Sequence, residues 1–491
     1  MDPSLADLSQ AFVAGSWIET ARTFPVRSPA TGTLLAEIAD CNAKEARAAI
    51  EAAAQIFPAW RSATPYLRSD LLRKWREAIL SHAEALARTM AQEMGKPLAE
   101  GRREILYAAS FLDWYAEEAK RIYGETVPSQ HPQKRIFIRY APVGPVYGIT
   151  PWNFPAAMVT RKVAPALAAG CPFVLKPAEA SPLTALFLAK LWEESGGWPA
   201  TFQVLPSSDP EALSEPLLDD PRIRKLTFTG STPVGKRLYP RSAATLKRVS
   251  LELGGGAPFL VFADADLGKA ADGAITAKFR NGGQSCVAAN AFYLQKEIAP
   301  AFLRLFTEKV ASLRSGDPLE EATQVGPLVN AQGLAKVAEL VADARSRGAR
   351  TLLGGPTCGL FFPPTLLTEV PPDARILEEE TFGPVAPLCL FESEEEALAA
   401  ARRGRAGLAA YLWTRDLGRA FRFAEEIPYG IIGVNDALPS TAQAPFGGVR
   451  ESGLGREGGK WGLAEGYYRV DSGSHKGWSI GRFHGRLAAF G

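Results

Sequence analysis

The sequence predicts an α/β protein built from two open parallel sheets in tandem. Three observations predict it. Short apolar runs alternate with helical segments over 143–262, and a second such series follows over 259–413. The chain has 491 residues, 46% hydrophobic and 22% charged, a globular composition with length for two or three domains. Where strands and helices alternate, each helix carries the chain across a sheet face, so successive strands run parallel.

Ahead of these series the chain reads as helical. Residues 42–60 are Ala-rich with charges on one side, and Asn42 can cap their start. Residues 67–94 and 98–123 carry apolar side chains at helical spacing, interrupted at Gly95 and Pro97. Residues 135–140 alternate as a half-exposed strand does, which predicts an arm or edge hairpin. The first series gives strands at 146–150, 173–175, 202–205, 226–228 and 249–253, with helices at 156–169, 182–194, 210–218 and 234–242. The second gives helices at 267–279, 298–313, 331–347 and 393–402. The end, 472–491, is rich in Gly and basic residues and fits no core pattern.

Lys+Arg total 55 against 53 Asp+Glu, for a formal net charge of +2. A nucleic-acid partner would call for a basic excess, so none is expected. The five cysteines, Cys41, Cys171, Cys286, Cys358 and Cys389, form no CxxC pair, and the four histidines lie far apart. Neither a disulfide framework nor a metal is expected. The longest uncharged stretch, 163–175, is broken by Pro165, Gly170 and Pro172. It is too short for a bilayer, and the start of the chain has no signal-peptide pattern. The expectation is a cytoplasmic protein with reduced thiols and no membrane partner.

Five motifs could carry chemistry, each beside a plainer reading. In Phe228-Thr-Gly-Ser-Thr-Pro-Val-Gly235 a strand ends in a glycine turn before a helix; its N–H groups could face a pyrophosphate, or the segment is an ordinary turn. Lys176-Pro-Ala-Glu179 ends another strand at the sheet edge where ligands bind, or is a solvated loop. In Asn281-Gly-Gly-Gln-Ser-Cys286, glycine and polar residues flank the cysteine. That setting predicts an accessible thiol near N–H donors, favouring the thiolate. The other four cysteines read as structural. Glu252, in Leu251-Glu-Leu-Gly-Gly-Gly256, lies in an apolar segment. It reads as a desolvated general base with raised pKa, or as the partner of a lysine. Asn153, in Pro151-Trp-Asn-Phe-Pro155, could donate to an oxyanion, or stabilise its own turn.

These motifs occur in order with Glu380-Thr-Phe-Gly-Pro384 and Pro445-Phe-Gly-Gly448. Together they resemble the NAD(P)-dependent aldehyde dehydrogenase superfamily, over about 12–470. The resemblance implies a Rossmann-like cofactor domain at 1–253, with an oligomerisation arm at 124–142, a catalytic domain at 254–450 and a C-terminal return segment and tail at 451–491. It implies Cys286 as nucleophile, Glu252 as general base and Asn153 as oxyanion donor. Lys176 and Glu179 would hold the adenosine ribose, Gly230 and Ser231 the pyrophosphate, and Glu380 the nicotinamide ribose, with Trp152 and Phe382 beside the cofactor. A thiohemiacetal on Cys286 would be oxidised to a thioester and hydrolysed by water that Glu252 activates. The arm implies a homodimer or homotetramer.

Glu179 can accept hydrogen bonds from both ribose hydroxyls, whereas a 2′-phosphate would meet like charge. NAD is therefore expected over NADP. NADP stays possible, because Lys176 could pair with a phosphate if Glu179 swung away. Thr160-Arg-Lys-Val163, the segment 279–290 and Gly453-Leu-Gly-Arg-Glu-Gly458 are similar to the succinate-semialdehyde dehydrogenase subgroup. That similarity implies a small aldehyde bearing a distal carboxylate, held by Arg161, Arg280 and Ser440 or its neighbour Thr441. In the competing reading Trp152, Phe154 and Phe446 line an apolar tunnel for aromatic or aliphatic aldehydes, and both arginines point elsewhere. A third reading is a catalytically silent cofactor-binding protein on the same fold. Ala291, Ala288 and the segment 467–474 depart from the family pattern, as does the long tail.

Overall fold

The computed structural model describes residues 8–476. The first sheet has eight strands, ordered Gly453–Leu454, Arg248–Glu252, Lys225–Thr229, Val146–Ile149, Phe173–Lys176, Phe202–Val204, Ala11–Val13 and Ser16–Ile18. The five strands from Arg248–Glu252 to Phe202–Val204 pair in parallel. The flanking strands are antiparallel. The second sheet has seven strands, ordered Arg350–Leu353, Thr365–Thr368, Val385–Phe391, Ala289–Gln295, Ala257–Val261, Ala409–Trp413 and Ile431–Val434. All its pairs are parallel except that of Arg350–Leu353 with Thr365–Thr368. The α/β class and the two parallel-rich sheets follow the alternation in the sequence.

The helices form where side chains cap and cover them. Ala43–Ser62 starts from Asn42, whose side chain accepts from Lys44 N–H (2.8 Å) while Glu45 accepts from Asn42 N–H (3.0 Å). Trp75, on helix Pro65–Ser81, meets Trp192 and Phe202 at 5.3 and 5.6 Å between ring centroids, tying that helix to helix Pro182–Glu194 and the sheet. Among the described residues, no helix is long and apolar enough to cross a membrane.

Four features correct the sequence reading. The expected helix at 67–94 is two, Pro65–Ser81 and Ala83–Met94, because His82 leaves helical geometry at φ −105°, ψ 20°. Strands precede the first helix, including the hairpin of Thr23–Arg27 with Leu34–Ala39. The start of the tail is ordered in pairing: Tyr468–Lys476 runs antiparallel to Lys134–Pro142, which also pairs with Glu125–Val127. Backbone ladder bonds join these three strands; 477–491 lie outside the described residues. Cys358, read as structural, is exposed.

Candidate active site

The site begins at the carboxyl edge of the first sheet. Strand Val146–Ile149 ends, and residues 151–155 turn the chain into helix Ala157–Ala169. The N–H groups of Ala156 and Ala157 have no partners within that helix. They donate to Glu104 from helix Leu98–Glu118, at 2.9 and 3.1 Å. Glu104 is also paired with the buried ammonium of Lys96, which donates to the Asn153 carbonyl at 2.7 Å. The turn is therefore held from below by a buried ion pair.

The second component is the loop after helix Leu267–Phe279. Asn281, Gly282 and Gly283 all have positive φ, at 53°, 60° and 75°. At Gly283 a Cβ would fall 2.2 Å from the Gly383 carbonyl, so only glycine fits. The loop is tied to the turn: Asn153 Nδ2 and Asn281 Nδ2 both donate to the Gln284 carbonyl at 3.0 Å. Asn281 N–H donates to Glu100 at 2.6 Å. Gln284 Oε1 accepts from Val329 N–H at 3.0 Å. This bracing presents Cys286, partly exposed, where two cavities meet.

The third component is the end of strand Arg248–Glu252. A Cβ on Gly255 would lie 1.9 Å from the Cys286 carbonyl, so its glycine allows the two loops to touch. Gly255 N–H donates to Glu380 at 2.9 Å. Glu252 is 2% exposed, and neither carboxylate oxygen has a hydrogen-bond partner among the described residues.

The two cavities share Phe154, Met158 and Cys286. One, of about 470 Å³, is lined by Trp152, Asn153, Gly230, Ser231, Glu252, Lys336, Glu380 and Phe382 among others. The Trp152 and Phe382 rings meet edge-on at 5.6 Å. Aromatic walls, a helix start at Thr232–Ala243 and a carboxylate fit a dinucleotide. The other cavity, of about 440 Å³, is lined by Tyr107, Arg161, Arg280, Ser440 and Phe446, with Lys96, Glu100, Arg103 and Glu104.

Arg161 is 2% exposed, lies 3.0 Å from Glu457 and places its guanidinium 3.7 Å from the Phe446 ring centroid. Its Nη2 is buried with no hydrogen-bond partner among the described residues. Arg280 lies over the Phe154 ring at 5.2 Å. Ser440 is bonded to the Tyr107 hydroxyl at 2.6 Å.

The electrostatics follow burial. Desolvation, reinforced by Glu457, raises Glu252 well above the usual carboxylate range. Desolvation lifts Glu380 to about 7, against the bond from Gly255. The Cys286 thiol is pushed up to about 12, by burial first and Glu380 next; Arg161 and Arg280 pull the other way without cancelling this. Burial therefore works against the thiolate expected from the motif.

Most residues singled out in the sequence line one of these cavities. Lys176 and Glu179 do not: they pair with each other at the end of strand Phe173–Lys176, next to Ile149. Ser440 lines the second cavity, whereas its neighbour Thr441 is not among the lining residues. Arg161 and Arg280 line the same cavity as Cys286. Lys96, Glu100, Glu104 and Tyr107 escaped notice. Glu100, Glu104 and Tyr107 recur at a spacing of four and three on helix Leu98–Glu118, which puts them on one face, and Lys96 lies just before that helix.

Residues 17–471 match the aldehyde dehydrogenase family. The chain is 48% identical to a glutarate-semialdehyde dehydrogenase of Pseudomonas aeruginosa, over 93% of this chain and 95% of that one. It is 47% identical to a succinate-semialdehyde dehydrogenase [NADP(+)] of Escherichia coli, over the same shares. A solved succinate-semialdehyde dehydrogenase from Burkholderia pseudomallei is similar at a TM-score of 0.95 and 45% identity, covering 97% of this chain and 99% of that one.

Proposed function

The chain belongs to the aldehyde dehydrogenase family, and from that premise we propose that Cys286, Glu252 and Asn153 carry its reaction on an aldehyde with a distal carboxylate. The reaction is the NAD(P)-dependent oxidation of an aldehyde to a carboxylic acid. We take residues 1–253 as the cofactor-binding part, 254–450 as the catalytic part and 451–491 as the return segment.

The Cys286 thiol loses its proton to water and its sulfur adds to the aldehyde carbon as the C=O pair moves to oxygen, giving a thiohemiacetal oxyanion. Asn153 has a second amide hydrogen beyond the one given to Gln284, free for the oxyanion. Trp152, Gly230, Ser231, Glu380 and Phe382, which line one cavity, would hold a nicotinamide dinucleotide, and it would supply the hydride acceptor. Glu252 then takes a proton from the water that hydrolyses the thioester. Its unpartnered oxygens and raised pKa suit that task.

The observation that carries the substrate class is the buried, unpartnered Nη2 of Arg161 beside Cys286. A buried donor without a partner is costly, and a carboxylate satisfies it, with Arg280 and Ser440 beside it. Relatives named for succinate and glutarate semialdehydes support this reading. The test is NADH formation with succinate semialdehyde beside hexanal and benzaldehyde. The acid aldehyde leads in kcat/KM by about tenfold or more, ~1.4 kcal/mol, and Arg280→Ala erases the lead; a lead for neutral aldehydes overturns it.

For the coenzyme we propose NAD over NADP, although one relative is named for NADP(+). Glu179 holds Lys176 in an ion pair and presents like charge to a 2′-phosphate. Glu179→Ser frees Lys176 and shifts the kcat/KM ratio toward NADP; an unchanged ratio rejects Glu179 as the determinant. We also infer a homo-oligomer joined through the arm, whose Phe137 is 56% exposed, and a cytosolic location that suits five free cysteines. Light scattering on the purified protein checks the first.

A further inference from the structure

The cations around the substrate cavity differ in how they are held. Lys96 is paired with Glu104, and Arg161 with Glu457. Arg280 packs over Phe154. Arg103 lines the same cavity but makes no hydrogen bond or ion pair among the described residues. It acts electrostatically on Glu100, yet that carboxylate is committed to Asn281 N–H at 2.6 Å. Arg103 and Gln324 are exposed, and Leu438 is 48% exposed, so this side is the mouth; buried Arg161 marks the floor. Arg103 sits one turn before Tyr107 on helix Leu98–Glu118, and Tyr107 holds Ser440.

We propose that Arg103 is a specificity-determining residue: a second anion-binding point, at the mouth, that holds the terminal carboxylate of acid aldehydes too long for the inner set. This deepens the acid-aldehyde reading above and rests on it. Cys286 must reach the aldehyde carbon, so each added methylene carries the carboxylate toward the mouth. The inner arginines cannot follow, being fixed by Glu457, Phe446 and Phe154. The cavity has the room: 440 Å³ lies in the range of about 300–1,000 Å³ that takes drug-sized ligands, beyond the need of a four-carbon acid. Arg103 is free to swing, and its fork can meet a carboxylate bidentately.

The test compares kcat/KM for four-, five- and six-carbon ω-oxo acids and hexanal in the wild-type protein, Arg103→Gln and Arg103→Lys. Arg103→Gln lowers the six-carbon acid about tenfold, mainly through KM, while the four-carbon acid stays within about twofold. Arg103→Lys restores part of the loss, because it returns the charge without the fork. An unchanged six-carbon value, or a parallel fall of all three acids, overturns the assignment. Should the wild-type protein favour hexanal over every acid, the acid-aldehyde reading itself fails. A preference for acids that Arg103→Gln leaves untouched sinks the mouth site alone.

Discussion

Two buried regions of this molecule use glutamate in opposite ways. In the helical layer, Glu93 and Glu104 cap helix starts. Glu93 accepts from the N–H groups of Leu183 and Thr184 and from the Thr184 hydroxyl. Glu104 accepts from Ala156 and Ala157 and is paired with Lys96. At the end of strand Arg248–Glu252, Glu252 is as deeply buried with no partner at all among the described residues. A buried charge without partners destabilises the fold. The capped glutamates hold structure together, whereas Glu252 keeps its oxygens free for a proton. Burial alone does not distinguish them; satisfaction does.

The contrast breaks cleanly if it is real. Glu252→Gln lowers kcat by about 10²–10⁴-fold, lets a thioester accumulate on Cys286 in rapid-quench mass spectrometry, and leaves the melting temperature unchanged or higher. A large loss of stability would place Glu252 with the structural pair. Glu104→Ala does the reverse. It strands Lys96 as a buried unpaired cation and costs about 3–5 kcal/mol in denaturant unfolding; a variant as stable as the parent removes the ion pair from the argument. Asn153→Ala sharpens the catalytic side, with about 10²–10³-fold lost in kcat. Equal losses in substrate affinity would show that the amide positions substrate instead.

The smallest effect concerns pH. Desolvation lifts Glu93 to about 8 despite its three donors. An acid whose folded pKa exceeds its unfolded value of about 4.5 binds protons more tightly when folded. Its contribution to stability is therefore full below about 4.5 and declines as pH rises toward about 8. Glu93→Gln costs about 1–3 kcal/mol and flattens that decline, as urea titrations at several pH values would reveal. A slope that persists in the variant assigns the effect to another group.

Much of the site was legible because chemistry and chain geometry coincide locally. Cys286 sits behind its own glycine turn, and Glu252 ends its own strand, so short motifs carry them. The push of burial on the Cys286 thiol was not legible, since it comes with Glu380 and with segments far along the chain. Tyr107 escaped for a similar reason. Its partner Ser440 lies 333 positions away, and helix Leu98–Glu118 otherwise looks like an ordinary amphipathic packing element.

The sequence by itself determined the α/β alternation, the two parallel sheets and the motif residues, because period and turn chemistry act over a few residues. Only the tertiary structure decided which motifs meet. It set Cys286 where two cavities join, left Glu252 without partners, and turned Arg161 from a helix residue into a floor cation. It also formed the arm by pairing Tyr468–Lys476 with Lys134–Pro142. Those outcomes depend on contacts between residues hundreds of positions apart. No local pattern encodes such contacts; they arise when the chain buries its apolar surface and must find partners for the polar groups carried in with it.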